Sequence, residues 1–179
     1  MLFIVNMENS SLARPPSILP VKDPPKEKPR KIVHPNLPEL PTIMCLVMPT
    51  KSGKSTILSN LLLREDFYKG VFDNVTIMSN TIDQDVTSRF LRKACDCYTG
   101  YDDNVLAGII EQQKSFDDEE RPFVGMIFDD ILGSVKRSSY LNHLVTRSRH
   151  YGVGLLAISV QSFKAVGPTI RNNCNSFIC

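Results

Sequence analysis

From Thr42 onward, short apolar runs alternate with stretches in which apolar residues recur every three or four positions. The runs are "TIMCLVM" (42–48), "NVTIMSN" (74–80), "FVGMIFDD" (123–130), "GLLAISVQ" (154–161) and "NSFIC" (175–179). Each has the length of a strand, and the near-continuous apolar character predicts burial on both faces. Between them, "KSTILSNLLLRE" (54–65), "DQDVTSRFLRKAC" (83–95), "DDNVLAGIIEQQKSF" (102–116) and "RSSYLNHLVTRSRHYG" (137–152) have helical spacing. In the second of these Val86, Phe90, Leu91 and Ala94 fall on one side; the third is expected to be N-capped by Asp102 or Asp103, and the fourth closed by Gly152. "FDDEERP" (116–122) reads as a polar loop. Strands separated by helices predict an α/β fold: a three-layer α/β/α sandwich with a mostly parallel central sheet.

Residues 1–41 follow a different pattern. Nine of the 12 prolines lie there (Pro15, Pro16, Pro20, Pro24, Pro25, Pro29, Pro35, Pro38 and Pro41), and "VKDPPKEKPRKIVHP" adds a concentration of Lys and Arg. Proline blocks helix interiors and sheet ladders, so an extended basic arm is expected ahead of a domain at 42–179. Such an arm serves as a solvated linker, a strap over a neighbouring subunit or a contact to nucleic acid. The last apparent strand is cut off at Cys179, so a fragment or a short version of the domain is expected.

Composition adds exclusions. With 42% hydrophobic and 22% charged residues the chain reads as globular, and a formal charge of +2 neither demands nor excludes a nucleic-acid partner. Cys45, Cys95, Cys97, Cys174 and Cys179 are odd in number and lack paired spacing, which argues against a disulfide framework and for a reducing compartment. The C-x-C at Cys95 and Cys97 has no second pair with which to hold zinc. "MLFIV" at the start is too short for a signal peptide, and no apolar run reaches the length of a membrane span.

The chemistry begins at "LVMPTKSGKSTIL" (46–58). A phosphate-binding loop needs converging backbone N–H groups, a turn that lets the backbone approach closely, and a lysine and hydroxyl for the β/γ-phosphates and Mg²⁺. Gly53, Lys54 and Ser55 supply the centre of the motif, with Pro49, Thr50, Lys51, Ser52 and Thr56 completing the nucleotide-binding stretch between strand and helix. Met48 stands where the pattern G-x-x-x-x-G-K-[ST] has its first glycine. A residue before proline is pushed towards β, so Met48 is expected to finish the strand and Pro49 to turn the chain. Lys51 occupies a position where glycine is common in related loops; a positive φ there would cost roughly 1 kcal/mol or more.

Asp129 and Asp130 end a predicted strand, where ligands of parallel α/β sheets bind. The first acid suits Mg²⁺, usually through water, and the second suits polarising an attacking water. Gln161 ends the next strand and is placed to sit between loop and acids. Arg147 and Arg149 precede that strand and Arg171 follows it; arginine suits bidentate phosphate contact, from the same or a neighbouring subunit. His143 and His150 lack metal-like spacing, and His150 reads as a packing or hydrogen-bonding residue.

These pieces together resemble the DNA-packaging ATPases of nucleocytoplasmic large DNA viruses and their virophage and transposon relatives, poxviruses included, within the FtsK–HerA superfamily of P-loop ATPases. The resemblance spans about Thr42 to Cys179 and rests on "MPTKSGKST", "IFDDIL" and, most selectively, "TRSRHYGVGLLAISVQSFKAVGPTIRNNCNSF". It implies the RecA-like (ASCE) version of the P-loop fold, with ATP and Mg²⁺ bound at Lys54 and Ser55. Asp129 becomes the metal acid, Asp130 the catalytic acid, Gln161 the sensor, and Arg149 or Arg171 a trans-acting arginine. The implied function is a homo-oligomeric ring that drives double-stranded DNA into a preformed capsid, contacting DNA backbone and a capsid or portal-vertex protein. Lys136, Arg137 and Lys164 are pore candidates. The implied location is the virus assembly site in the host cytoplasm, and the virion, without a membrane partner. Met48, Lys51 and Asp130 (where the superfamily more often has Glu) depart from the pattern. The competing readings are a nucleotide- and DNA-binding scaffold without turnover, another P-loop ATPase such as a helicase or a small kinase, and an adaptor linking motor to capsid through the arm.

Overall fold

A computed structural model describes residues 34–131 and 139–179. Its strands are β1 (Thr42–Val47), β2 (Asn74–Ser79), β3 (Asp96–Thr99), β4 (Val124–Asp129), β5 (Val153–Val160) and β6 (Ser176–Ile178). The helices are α1 (Lys54–Leu63), α2 (Leu91–Ala94), α3 (Asp103–Ser115), α4 (Ser139–Arg147) and α5 (Pro168–Asn173). The strands form one sheet in the order β3-β2-β4-β5-β1-β6, and every pairing is parallel.

Parallel strands need crossovers, and the crossover helices cover both faces of the sheet. Alternate residues of each strand therefore enter different cores. Ile43 and Cys45 of β1 pack with Met126 and Phe128 of β4 under Leu106 and Ile110 of α3 and Leu144 of α4. Met44 and Leu46 face the other way, with Ile127 and Leu155, under Leu58, Leu61 and Leu62 of α1. The phase of β5 slips at its start, where Val124 pairs with Val153 but Gly125 pairs with Leu155. The extra residue is Gly154, and the Phe123 ring occupies its side-chain space: a Cβ there would lie 2.0 Å from the ring carbon Cζ. That ring is stacked on Phe72, with centroids 5.6 Å apart. Gly154→Ala is therefore expected to destabilise the domain by about 1–3 kcal/mol, read as a lowered midpoint in thermal unfolding.

Most predicted elements are present; the short helix α5 was not expected, and two further differences stand out. Residues 83–95 do not form one amphipathic helix. They make a short 3-10 turn, Val86–Arg89, followed by the single turn of α2. Of the residues predicted to share a face, Leu91 is buried, whereas Val86 and Phe90 are 74% and 52% exposed. Asp85 accounts for the break, because its side chain accepts from Thr87 N–H at 2.8 Å and starts the chain on a separate turn. The other difference is the edge strand β3, which the apolar pattern missed because "DCYT" is largely exposed. Asp102 is the N-cap of α3, accepting from Asn104 N–H at 2.7 Å. Gly152 ends the turn after α4 with φ 66°, as expected of a glycine that closes a helix. The end of the expected arm lies on the domain. Leu37 and Leu40 pack against the α1-side core, and buried Tyr68 donates its hydroxyl to Pro38 O at 2.8 Å. Residues 1–33 lie outside the described residues.

Candidate active site

The carboxyl ends of β1, β5, β4 and β2 stand side by side, and each carries polar residues just where its apolar run stops. After β1, Met48 N–H still donates to Val160 O of β5 at 2.9 Å, so Met48 extends the ladder and Pro49 turns the chain. The turn is held by Ser52, whose backbone N–H and hydroxyl reach Pro49 O at 3.3 and 2.6 Å. Lys51 and Gly53 have φ values of 66° and 96°. Gly53 adopts this backbone without strain, whereas Lys51 bears a cost of about 1 kcal/mol. Left-handed residues among right-handed ones let successive N–H groups converge on an anion. Gly53 is also the N-cap of α1, its carbonyl accepting from Ile57 N–H at 2.9 Å. Pro49, Thr50 and Thr56 are exposed around the turn.

Lys54 opens α1, and its side chain is only 10% exposed. Its Nζ lies 3.8 Å from Asp130 Oδ1, while Gln161 Nε2 donates to Asp130 Oδ2 at 2.8 Å. Three predicted residues from three separate segments thus meet at one carboxylate. The strand order explains this: β5 lies between β1 and β4, so Gln161 stands between the loop and the acids. Asp130 itself has φ 54°. Its N–H donates to Ser159 O at 3.1 Å and its carbonyl accepts from Asn80 Nδ2 at 3.1 Å. These two bonds hold the chain in that turn.

Asp129 is set deeper, at 8% exposure. Ser79 Oγ donates to its Oδ2 at 3.1 Å, and Ser159 Oγ donates to its Oδ1. Near the loop, burial pushes the Asp85 carboxyl up, but hydrogen bonds from the Ser55 hydroxyl and from Thr87 outweigh it and hold Asp85 below the usual carboxylate range. Sequence reasoning missed Ser79, Asn80, Ser159 and Asp85. For Ser79, Asn80 and Ser159 the available signal was a polar residue at or near the end of a buried run; Asp85, which starts a 3-10 turn, gave none.

The residues present fit a hard divalent cation. Asp129 is a buried carboxylate with a hydroxyl donor on each oxygen, Ser55 stands in the first turn of α1, and no cluster of three His, Cys, Asp or Glu side chains occurs among the described residues. That donor set suits Mg²⁺, which keeps waters and takes its remaining ligands from substrate phosphates.

The arginines are not in this cluster. Arg147 and Arg149 line a cavity of about 200 Å³ with Thr42, Ile43, His150, Asn173 and Asn175, at the amino ends of the strands. The length of β1, roughly 16 Å, separates them from their own phosphate loop. Arg149 has no ion pair among the described residues. Arg171 stacks on Phe163, with its guanidinium 5.4 Å from the ring centre. His143 is paired with the Tyr151 hydroxyl. Lys164 is exposed beyond Gln161, and Lys136 and Arg137 lie outside the described residues.

The fold is shared with solved structures. The cytoplasmic domain of EssC matches with a TM-score of 0.54 at 16% identity, over 76% of this chain and 32% of that one. Thermomonospora curvata EccC (ATPases 2 and 3), solved with a signal sequence peptide, matches with a TM-score of 0.50 at 14% identity, over 74% and 28%. The chain thus spans about a third or less of those two. The genome packaging NTPase B204 of Sulfolobus turreted icosahedral virus 2, solved with ATPγS, superposes with a TM-score of 0.49 at 14% identity, over 75% and 71%. No family model and no curated protein matches the sequence. At these identities the likeness is one of fold: an all-parallel six-stranded sheet within an α/β domain, the arrangement of the matched EssC and EccC domains. Among the described residues no helix is long and apolar enough to cross a membrane.

Proposed function

We propose that this chain is an ATPase that couples ATP hydrolysis to movement along double-stranded DNA, as the motor of a viral genome-packaging ring. The observation that supports hydrolysis most is the meeting of Lys54, Asp130 and Gln161 at one carboxylate beside the phosphate loop. In this reading the loop N–H groups and Lys54 take the phosphates. Ser55 and Asp129 would hold Mg²⁺, which would supply positive charge to neutralise the phosphates. Asp130 orients the attacking water and accepts its proton, and Gln161 fixes the carboxylate through its amide. The part that moves DNA is supported by the sequence resemblance over 42–179, and backbone contacts through Lys and Arg would make it insensitive to base sequence.

A triplex-displacement assay separates this reading from its neighbours. ATP-dependent removal of a third strand from intact duplex, without separation of the duplex strands, is the expected result. Strand separation would indicate a helicase. Nucleotide binding with neither turnover nor displacement would indicate a scaffold.

A further inference from the structure

Ser79, Asp129 and Ser159 occupy one row across three neighbouring parallel strands: Ser79 is in register with Asp129, and Asp129 with Ser159. One row earlier the same strands carry Met78, Phe128 and Ile158, all buried and apolar. The polar character therefore starts abruptly at the row of the acid. Ser79 and Ser159 are themselves 1% and 0% exposed, so neither hydroxyl has water as a ready partner. Each donates to a different oxygen of Asp129. Thr81 N–H reaches Ser79 Oγ at 3.2 Å, which occupies a lone pair of that oxygen and leaves its hydrogen for Asp129. A carboxylate offers about four acceptor positions, so two remain after both serines have bonded.

We infer that Ser79 and Ser159 are positioning residues for metal binding: they grip Asp129 from both flanking strands and hold its remaining acceptor positions towards Mg²⁺ and its waters. Asp129 is then preorganised by the sheet rather than by the nucleotide. Outer groups that orient a metal-binding carboxylate typically change metal affinity 10–100-fold when removed. The inference rests on the ATPase reading and names which residues outside the motif set its Mg²⁺ dependence.

The test is equilibrium binding of a fluorescent, non-hydrolysable ATP analogue, measured with Mg²⁺ and with EDTA. The chains compared are the wild type, Ser79→Ala, Ser159→Ala and the hydroxyl-keeping Ser79→Thr and Ser159→Thr. The wild type is expected to bind more tightly with Mg²⁺. Each alanine variant should keep its affinity in EDTA, which reports an intact fold and loop, and lose about 10-fold or more of the Mg²⁺-dependent gain. At least one threonine variant should recover it. Alanine variants that keep the full gain would overturn the inference while leaving the ATPase reading in place. Equal losses in EDTA and Mg²⁺ would also overturn it, by assigning the serines to the fold alone. A wild type that binds no nucleotide in either condition would overturn the ATPase reading and this inference with it.

Discussion

Asp130→Asn is expected to lower ATP turnover by roughly 10²–10⁴-fold while leaving ATP affinity within a few-fold. The substitution keeps the shape of the side chain but removes the carboxylate that is proposed to accept a proton from water. Asp130 is suited to that task by its surroundings. It is the acid that faces the loop, 28% exposed, with Lys54 near one oxygen and Gln161 bonded to the other. Asp129, by contrast, is buried with a hydroxyl on each oxygen, an environment for holding a cation and not for exchanging protons with solvent. The turn at Asp130, with φ 54°, is tolerated by Asn as well as by Asp, so the variant should fold. Steady-state turnover together with nucleotide binding checks the prediction. A variant with near-normal turnover would move the general base elsewhere.

Arg149→Ala is expected to have the second largest effect, a loss of roughly 10³–10⁵-fold in turnover with nucleotide binding retained. We propose Arg149 over Arg171 as the arginine that serves an adjacent subunit. Arg149 lies at the amino ends of the strands and cannot reach its own phosphate loop along the length of β1. It is exposed and free of an ion pair among the described residues, which leaves its guanidinium available to a partner. Arg171 is engaged with Phe163, and its replacement should cost far less activity. Mixing Arg149→Ala with Lys54→Ala checks the trans assignment. Rings of both should regain some turnover, because an intact loop can then face an intact arginine. A fully active Arg149→Ala chain would remove this residue from the chemistry.

The layered α/β fold was legible because its strands are buried on both faces, and continuous apolar runs survive any choice of register. Asp129, Asp130 and Gln161 were legible because chemistry in such sheets collects at carboxyl ends. What escaped the sequence depended on neighbours. The strand order that puts β5 between β1 and β4 is not written in any one segment, so the sequence placed Gln161 between loop and acids but did not show that Lys54 and Gln161 both meet Asp130. Ser79 and Ser159 read as ordinary strand-end serines until register sets them on either side of Asp129. Residues 83–95 misled because Val86 and Phe90 have helical spacing, but the Asp85 side chain starts a separate turn and leaves both facing out. Arg149 and Gln161 flank the same strand, yet its length places them at opposite ends of the sheet.

The most direct test of the account is ATP hydrolysis by the purified chain, with and without double-stranded DNA, beside Lys54→Ala. Turnover that rises with duplex DNA and disappears in Lys54→Ala is the predicted result. ATP hydrolysis that ignores DNA, or that survives loss of Lys54, would contradict the account.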